Sequence, residues 1–109
     1  MATTYKVLGQ SNPSATTLTT LYTVPSATEA VVSTIAICNQ AATSATYRIA
    51  VRPAGATAEA KHYLVYGATV AANDSTLLTL GITLAATDVI SVYTSTANLS
   101  ISAFGSEIA

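Results

Sequence analysis

Residues 30–53, AVVSTIAICNQAATSATYRIAVRP, restrict the fold more than any other part of the chain. Residues 31–38 form a β-branched, apolar run of short side chains. Residues 45–51 alternate: Tyr47, Ile49 and Val51 are apolar, while Arg48 and Arg52 flank Ala50 on the other side. β-Branched side chains crowd a helix but pack well on a pleated strand, and a period of two sends successive side chains to opposite faces. Residues 39–44 are too small and polar to continue either run. The stretch therefore predicts two strands joined by a loop at the centre of a sheet, with one face of the second strand buried and one wet or in contact. No amphipathic helix of ten residues can be drawn anywhere in the sequence.

The rest of the chain repeats this language. Residues 3–8, 16–24, 61–66, 75–80, 88–94 and 99–104 read as strands, with 82–84 a short extended piece. Gly9, Pro13, Pro25, Gly67 and Gly81 punctuate them. The strand that stops at Pro25 suits an edge, because proline offers no ladder donor. Residues 53–60 form a loop with room for one helical turn at 56–60. Residues 88–94 and 99–104 read as a C-terminal hairpin, followed by a short tail that Ile108 ties down. A faint echo joins three places, Val24-Pro-Ser-Ala-Thr-Glu29, Val70-Ala-Ala-Asn-Asp74 and Leu84-Ala-Ala-Thr-Asp88. Each is an apolar residue, a small-residue turn, and an acid or hydroxyl before a strand. The echo predicts one kind of tight sheet corner used three times, its acid accepting turn amides. Seven or eight short antiparallel strands with turn signals roughly every 8–12 residues predict an all-β sandwich, jelly-roll or immunoglobulin-like. Residues 1–14 read as an extended arm or edge strand, and 15–109 as a single domain.

Bulk and charge bear on function. Ala, Thr and Ser make up 51 of the 109 residues, so the core is slim. About 25 cal/mol per Å² of apolar burial must still offset chain entropy, which favours an assembled protein over a lone monomer. Charged residues are 8% of the chain and the net charge is −1, against roughly 25% charged in an ordinary soluble protein. A surface so poor in charge suits contact with other protein. Lys6, Arg48, Arg52 and Lys61 are too few for a nucleic-acid groove, so no nucleic acid is expected. No run of 18 apolar residues predicts a membrane helix, and residues 1–10 lack the apolar core of a cleaved leader. Cys38, the only cysteine, ends an apolar run and reads as a small buried hydrophobe.

Chemistry finds no foothold. The single histidine, His62, falls in a strand run with only Glu59 near it, and a metal site needs three or four converging ligands. No nucleophile elbow is present, and three of the five acids sit at turns. The glycines do not have phosphate-cradling spacing. The expectation is a non-enzymatic protein without metal or cofactor. Arg48 and Arg52 on one strand face, with Tyr63 and Tyr66 beyond them, are candidate interface residues, because guanidinium groups and phenol rings serve subunit contacts well. Against this stands a solvated face whose arginines pair with Glu59 or Glu107.

Three segments carry a resemblance: YTVPSATEAVVSTIAICNQ (residues 22–40), YRIAVRPAG (47–55) and DVISVYTSTANLSISAFGSEI (88–108). Together they resemble small virion proteins of tailed bacteriophages, especially those of marine and cyanobacterial phages. Thr28-Glu29 stands where that pattern has an Ala-Gly turn. The resemblance implies a β-sandwich located in the virion, a capsid decoration or cement protein. It would be a homotrimer bound to the major capsid protein or another virion protein. A neck, tail or fibre component is the alternative, with glycan binding through an exposed tyrosine pair beside an acid or amide. In such an assembly Tyr5, Val7 and Leu8 of the N-terminal arm would reach a neighbouring subunit.

Overall fold

The computed structural model describes residues 2–109; Met1, the first residue of the expected arm, lies outside them. Eight strands run in chain order: β1 (Thr3–Ser11), β2 (Thr19–Thr23), β3 (Glu29–Asn39), β4 (Ala45–Arg52), β5 (Tyr63–Val70), β6 (Ser75–Leu84), β7 (Val89–Thr94) and β8 (Leu99–Ile108). They form two four-stranded antiparallel sheets, ordered β1-β8-β3-β6 and β2-β7-β4-β5. The pairs β1–β8, β2–β7, β3–β6 and β4–β5 describe one long antiparallel hairpin, folded so that its successive rungs alternate between sheets. This is the strand order of an eight-stranded jelly roll. The all-β sandwich expected from the alternation is the observed architecture.

The two sheets face each other across one core. Ile35 and Ile37 of β3 and Leu99 and Ile101 of β8 meet Ile49 of β4 and Ile90 and Val92 of β7, all fully buried. These four strands are the inner pair of each sheet, which is why their inward positions read as the strongest apolar runs. β3 and β4 are therefore each central, but in different sheets, where the sequence reading places them in one. The C-terminal hairpin is corrected in the same way: β7 pairs with β2 and β4, and β8 with β1 and β3. An apolar period says that a strand has a core face; it does not say which of two facing sheets holds it.

Other boundaries shift for local reasons. The tail after Phe104 continues β8 to Ile108, because Gly105 lies flat against β3, where a Cβ would strike the Val31 carbonyl. β6 runs unbroken through Gly81 to Leu84. His62 lies in a short 3-10 turn, Ala60–His62, ahead of β5 instead of inside a strand. Cys38 is exposed, not buried: Ile35, Ile37 and Asn39 take the inward positions, and Cys38 falls between them on the outer face.

The echoed corners are real and have one geometry. Val24, Val70 and Leu84 are buried, and the residue three places on, Ala27, Asn73 or Thr87, is left-handed at φ 54°, 52° and 70°. A fourth copy, buried Pro13 followed by Thr16 at φ 55°, escapes the sequence pattern because proline replaces the aliphatic residue. All four carry the chain from one sheet to the other. Asp88 accepts the Ala85 amide at 2.9 Å and Asp74 accepts the Ser75 amide at 2.8 Å, which is the role expected of the acids. At the first corner the Thr28 hydroxyl instead donates to the Ser26 carbonyl at 3.1 Å, and Glu29 points outward. Two corners bond to each other, Val24 N–H to the Asp88 carbonyl at 3.0 Å and Thr87 N–H to the Val24 carbonyl at 3.0 Å.

Candidate functional site

Two surfaces stand out, one on the outside of each sheet. On the β1-β8-β3-β6 sheet, register fixes the outward set. Tyr5 lies opposite Ser106, which lies opposite Val31. One step along, Val7 lies opposite Phe104, which lies opposite Thr34. Farther on, Ser102, Ala36 and Leu77 share a row. Tyr5 is 84% exposed and Leu77 66%, with Val7 and Phe104 also open to solvent. Among the described residues, the one charged side chain in these outward positions is Glu29, opposite Ile108 at the rim. Tyr5, Val31 and Phe104 line a shallow groove with Ser33, whose hydroxyl donates to the Phe104 carbonyl at 3.2 Å. The groove follows a transverse irregularity: Leu8 in β1 and Ser33 in β3 are each an extra residue against β8. Such bulges bend a sheet locally.

Lys6 also borders this groove, and its side chain reaches to the rim. Its ammonium pairs with Glu107 at 3.1 Å, and the Tyr22 hydroxyl of the opposite sheet donates to the same carboxylate at 2.5 Å. The hydrogen bonds from Tyr22 and then Lys6 hold the Glu107 carboxyl below the usual carboxylate range. Burial, helped by that carboxylate, pushes the Tyr22 hydroxyl far above the ordinary phenol range.

On the β2-β7-β4-β5 sheet, Arg48 sits between two rings, 4.0 Å from the Tyr66 centroid and 4.1 Å from the Tyr93 centroid. Tyr63 meets Tyr66 edge to face at 5.0 Å. Strict alternation puts residues 63 and 66 on opposite faces, but Leu64 is an extra residue in β5, opposite none in β4. The bulge turns both rings outward. They line a groove with Ala58, Glu59 and Ala60 from the preceding loop, and Tyr66 is 65% exposed. The loop is held in place from below. Arg52 donates to the Ser91 hydroxyl at 3.1 Å and to the Ala56 carbonyl at 3.0 Å, and the His62 Nδ1 accepts the Glu59 amide at 3.0 Å.

The seven interface candidates thus separate. Tyr5 and Val7 are exposed together on one face. Arg48, Tyr63 and Tyr66 form one cluster on the other. The Arg52 guanidinium is taken up by its own loop, and neither arginine pairs with Glu59 or Glu107. Leu8, at 9% exposure, lies in the core, since alternation from the outward Tyr5 and Val7 sends it inward. Of residues 1–14, read as an arm or edge strand, 3–11 lie along β8 as the edge of their sheet. Phe104, Val31 and Leu77 are the exposed-face residues that sequence reading passed over. Each sits in an apolar run that looked like core, and only the facing sheet shows which half of the run stays outside.

Among the described residues no three histidine, cysteine or acidic side chains converge as a metal site, and no helix is long and apolar enough to cross a membrane. No family model, curated protein or solved structure matches the chain.

Proposed function

We propose that the protein is a non-enzymatic structural component of a tailed-phage virion, a decoration or cement protein that binds a capsid protein through the outer face of the β1-β8-β3-β6 sheet. The observation that carries this reading is that face itself. Four strands wide, it presents Tyr5, Val7, Val31, Phe104 and Leu77 among serine and threonine hydroxyls, with Glu29 as its one charge. Docking such a face desolvates apolar area and hydroxyls and strands no buried ion, the costliest thing an interface can do. The resemblance in residues 22–40, 47–55 and 88–108 supplies the particle. Purified heads lacking the protein should bind it saturably in a sedimentation assay, and Phe104→Lys should lower that binding at least tenfold while leaving the fold intact. Undiminished binding by Phe104→Lys and Tyr5→Lys together would overturn the assignment of this face.

The Tyr63–Tyr66 pair favours a second reading, a glycan-binding tail or fibre module. The pair lies beside the Glu59 carboxylate in an open groove, which supplies a ring face for sugar C–H groups and an acceptor for hydroxyls. Tyrosine fluorescence titrated with oligosaccharides should then saturate, and Tyr66→Ala should abolish the response.

A further inference from the structure

A sandwich has four edge strands, and each edge invites pairing unless something blunts it. Three are blunted here. β1 carries Lys6 and the Leu8 bulge, and at Gly9 it closes onto the Leu21 carbonyl of β2. β2 is only five residues long and bulged at Leu21. β5 is broken twice, at Leu64 and at Gly67 with φ 83°. β6 is the least protected: its one irregularity, at Leu80-Gly81, leaves residues 75–79 regular. Its ten residues, STLLTLGITL, contain no charge and no proline, and no backbone hydrogen bond reaches its outer edge from the described residues.

The geometry points to a second copy of this chain as the occupant, paired antiparallel β6 to β6 about a twofold axis at Leu77. An antiparallel strand pair is self-complementary, so identical edges satisfy each other in an isologous contact. The register follows from regularity. Residues 75–79 pair with β3 without a break, whereas past Thr79 the ladder shifts at Leu80-Gly81. The flat part is therefore 75–79, and its centre is Leu77. There Ser75 faces Thr79 of the second copy, and the two Leu77 side chains, each 66% exposed in the single chain, lie directly opposite and cover one another. Charge does not oppose the pairing, because neither edge carries any. The product is one continuous eight-stranded sheet with the charge-poor outer face doubled in width. The pairing stands independently of the virion reading and predicts a twofold assembly where the sequence reading expects a trimer.

Light scattering over a hundredfold concentration range tests it without any particle. The mass should rise from 11.1 kDa toward twice that value, and Leu77→Lys should stay at the single-chain mass at every concentration. The exposed side chain makes this substitution harmless to the core, which circular dichroism checks. A Cys38→Ser, Leu77→Cys double variant should cross-link to dimers on mild oxidation, since directly opposed strand positions come within disulfide reach. A single-chain mass throughout, a trimer, or a dimer indifferent to Leu77→Lys would each overturn the proposal, as would a double variant that dimerises but whose introduced thiols fail to cross-link.

Discussion

Asn39 is 1% exposed and ends β3 pointing into the sandwich. Its amide nitrogen donates to the carbonyls of Thr43, Val70 and Ala71 at 2.8, 3.2 and 3.2 Å, and its oxygen accepts the Ala41 amide at 3.0 Å. One side chain thereby ties the β3–β4 loop to the β5–β6 corner. Asn39→Ala removes the donor to the buried Val70 carbonyl and three more bonds at the partly buried corner, and a loss of about 2 kcal/mol in urea unfolding is expected. Sequence reading placed Asn39 in the loop, since an isolated asparagine after an apolar run carries no mark of burial. Gly105 is a second residue of this kind. A Cβ there collides with the Val31 backbone, so Gly105→Ala must push β3 and β8 apart. Measured thermal unfolding should fall by well over 5 °C, as expected for a change of a few kcal/mol in a domain this size.

At the scale of elements, the recurring corner was the most legible part of the chain. Its acids, small residues and following strand could be read directly, and its left-handed residue could not, because Ala27, Asn73 and Thr87 share no side-chain chemistry. A β-branched residue held left-handed costs roughly 1–2 kcal/mol, and Thr87, exposed and without a side-chain hydrogen bond, gains nothing in return. Thr87→Gly should therefore stabilise the protein by about 0.5 kcal/mol after glycine's extra chain entropy is counted, visible as a higher denaturant midpoint. Asp88→Ala should do the reverse. It removes the acceptor for the Ala85 amide and also for the Ala54 amide, at 2.9 Å, of the β4–β5 loop. About 2 kcal/mol is expected to be lost, with the loop that carries Glu59 becoming more open to proteolysis. The strands β7 and β8 show the opposite case. Each was found, but their pairing was not, since the short link between them crosses from sheet to sheet.

For the whole molecule, Lys6, Glu107 and Tyr22 fasten β1, β8 and β2 where the two sheets meet. Their titration gives the fold a window. Glu107 is held below its unfolded value, so its contribution is present above the ordinary carboxylate range and disappears as pH falls through the lowered folded value. Tyr22 is held above its unfolded value of about 10, so its contribution is complete below that pH. The contribution shrinks as the unfolded chain alone ionises above it. Urea unfolding followed from pH 2 to 11 should show both limbs. Glu107→Gln should flatten the acid limb and Tyr22→Phe the alkaline one; an unchanged acid limb in Glu107→Gln would place the acid sensitivity elsewhere.

The strand class, a count of seven or eight strands, three of the four corners and the poverty of charge were determined by the sequence alone. Each depends on side chains acting within a few residues: β-branching, period two, turn chemistry and bare counts. Only the tertiary structure decided the assignment of strands to sheets, the burial of Leu8 and Asn39, and the exposure of Cys38. It also decided the joint outward turn of Tyr63 and Tyr66 and the unguarded edge of β6. The sheet assignment depends on contacts far apart in sequence, the places of Cys38 and Asn39 on the bulge at Ser33, and those of Tyr63 and Tyr66 on the bulge at Leu64. One extra residue in a strand reverses every face that follows it, and a chain rich in alanine and threonine has too little contrast between faces to announce the reversal.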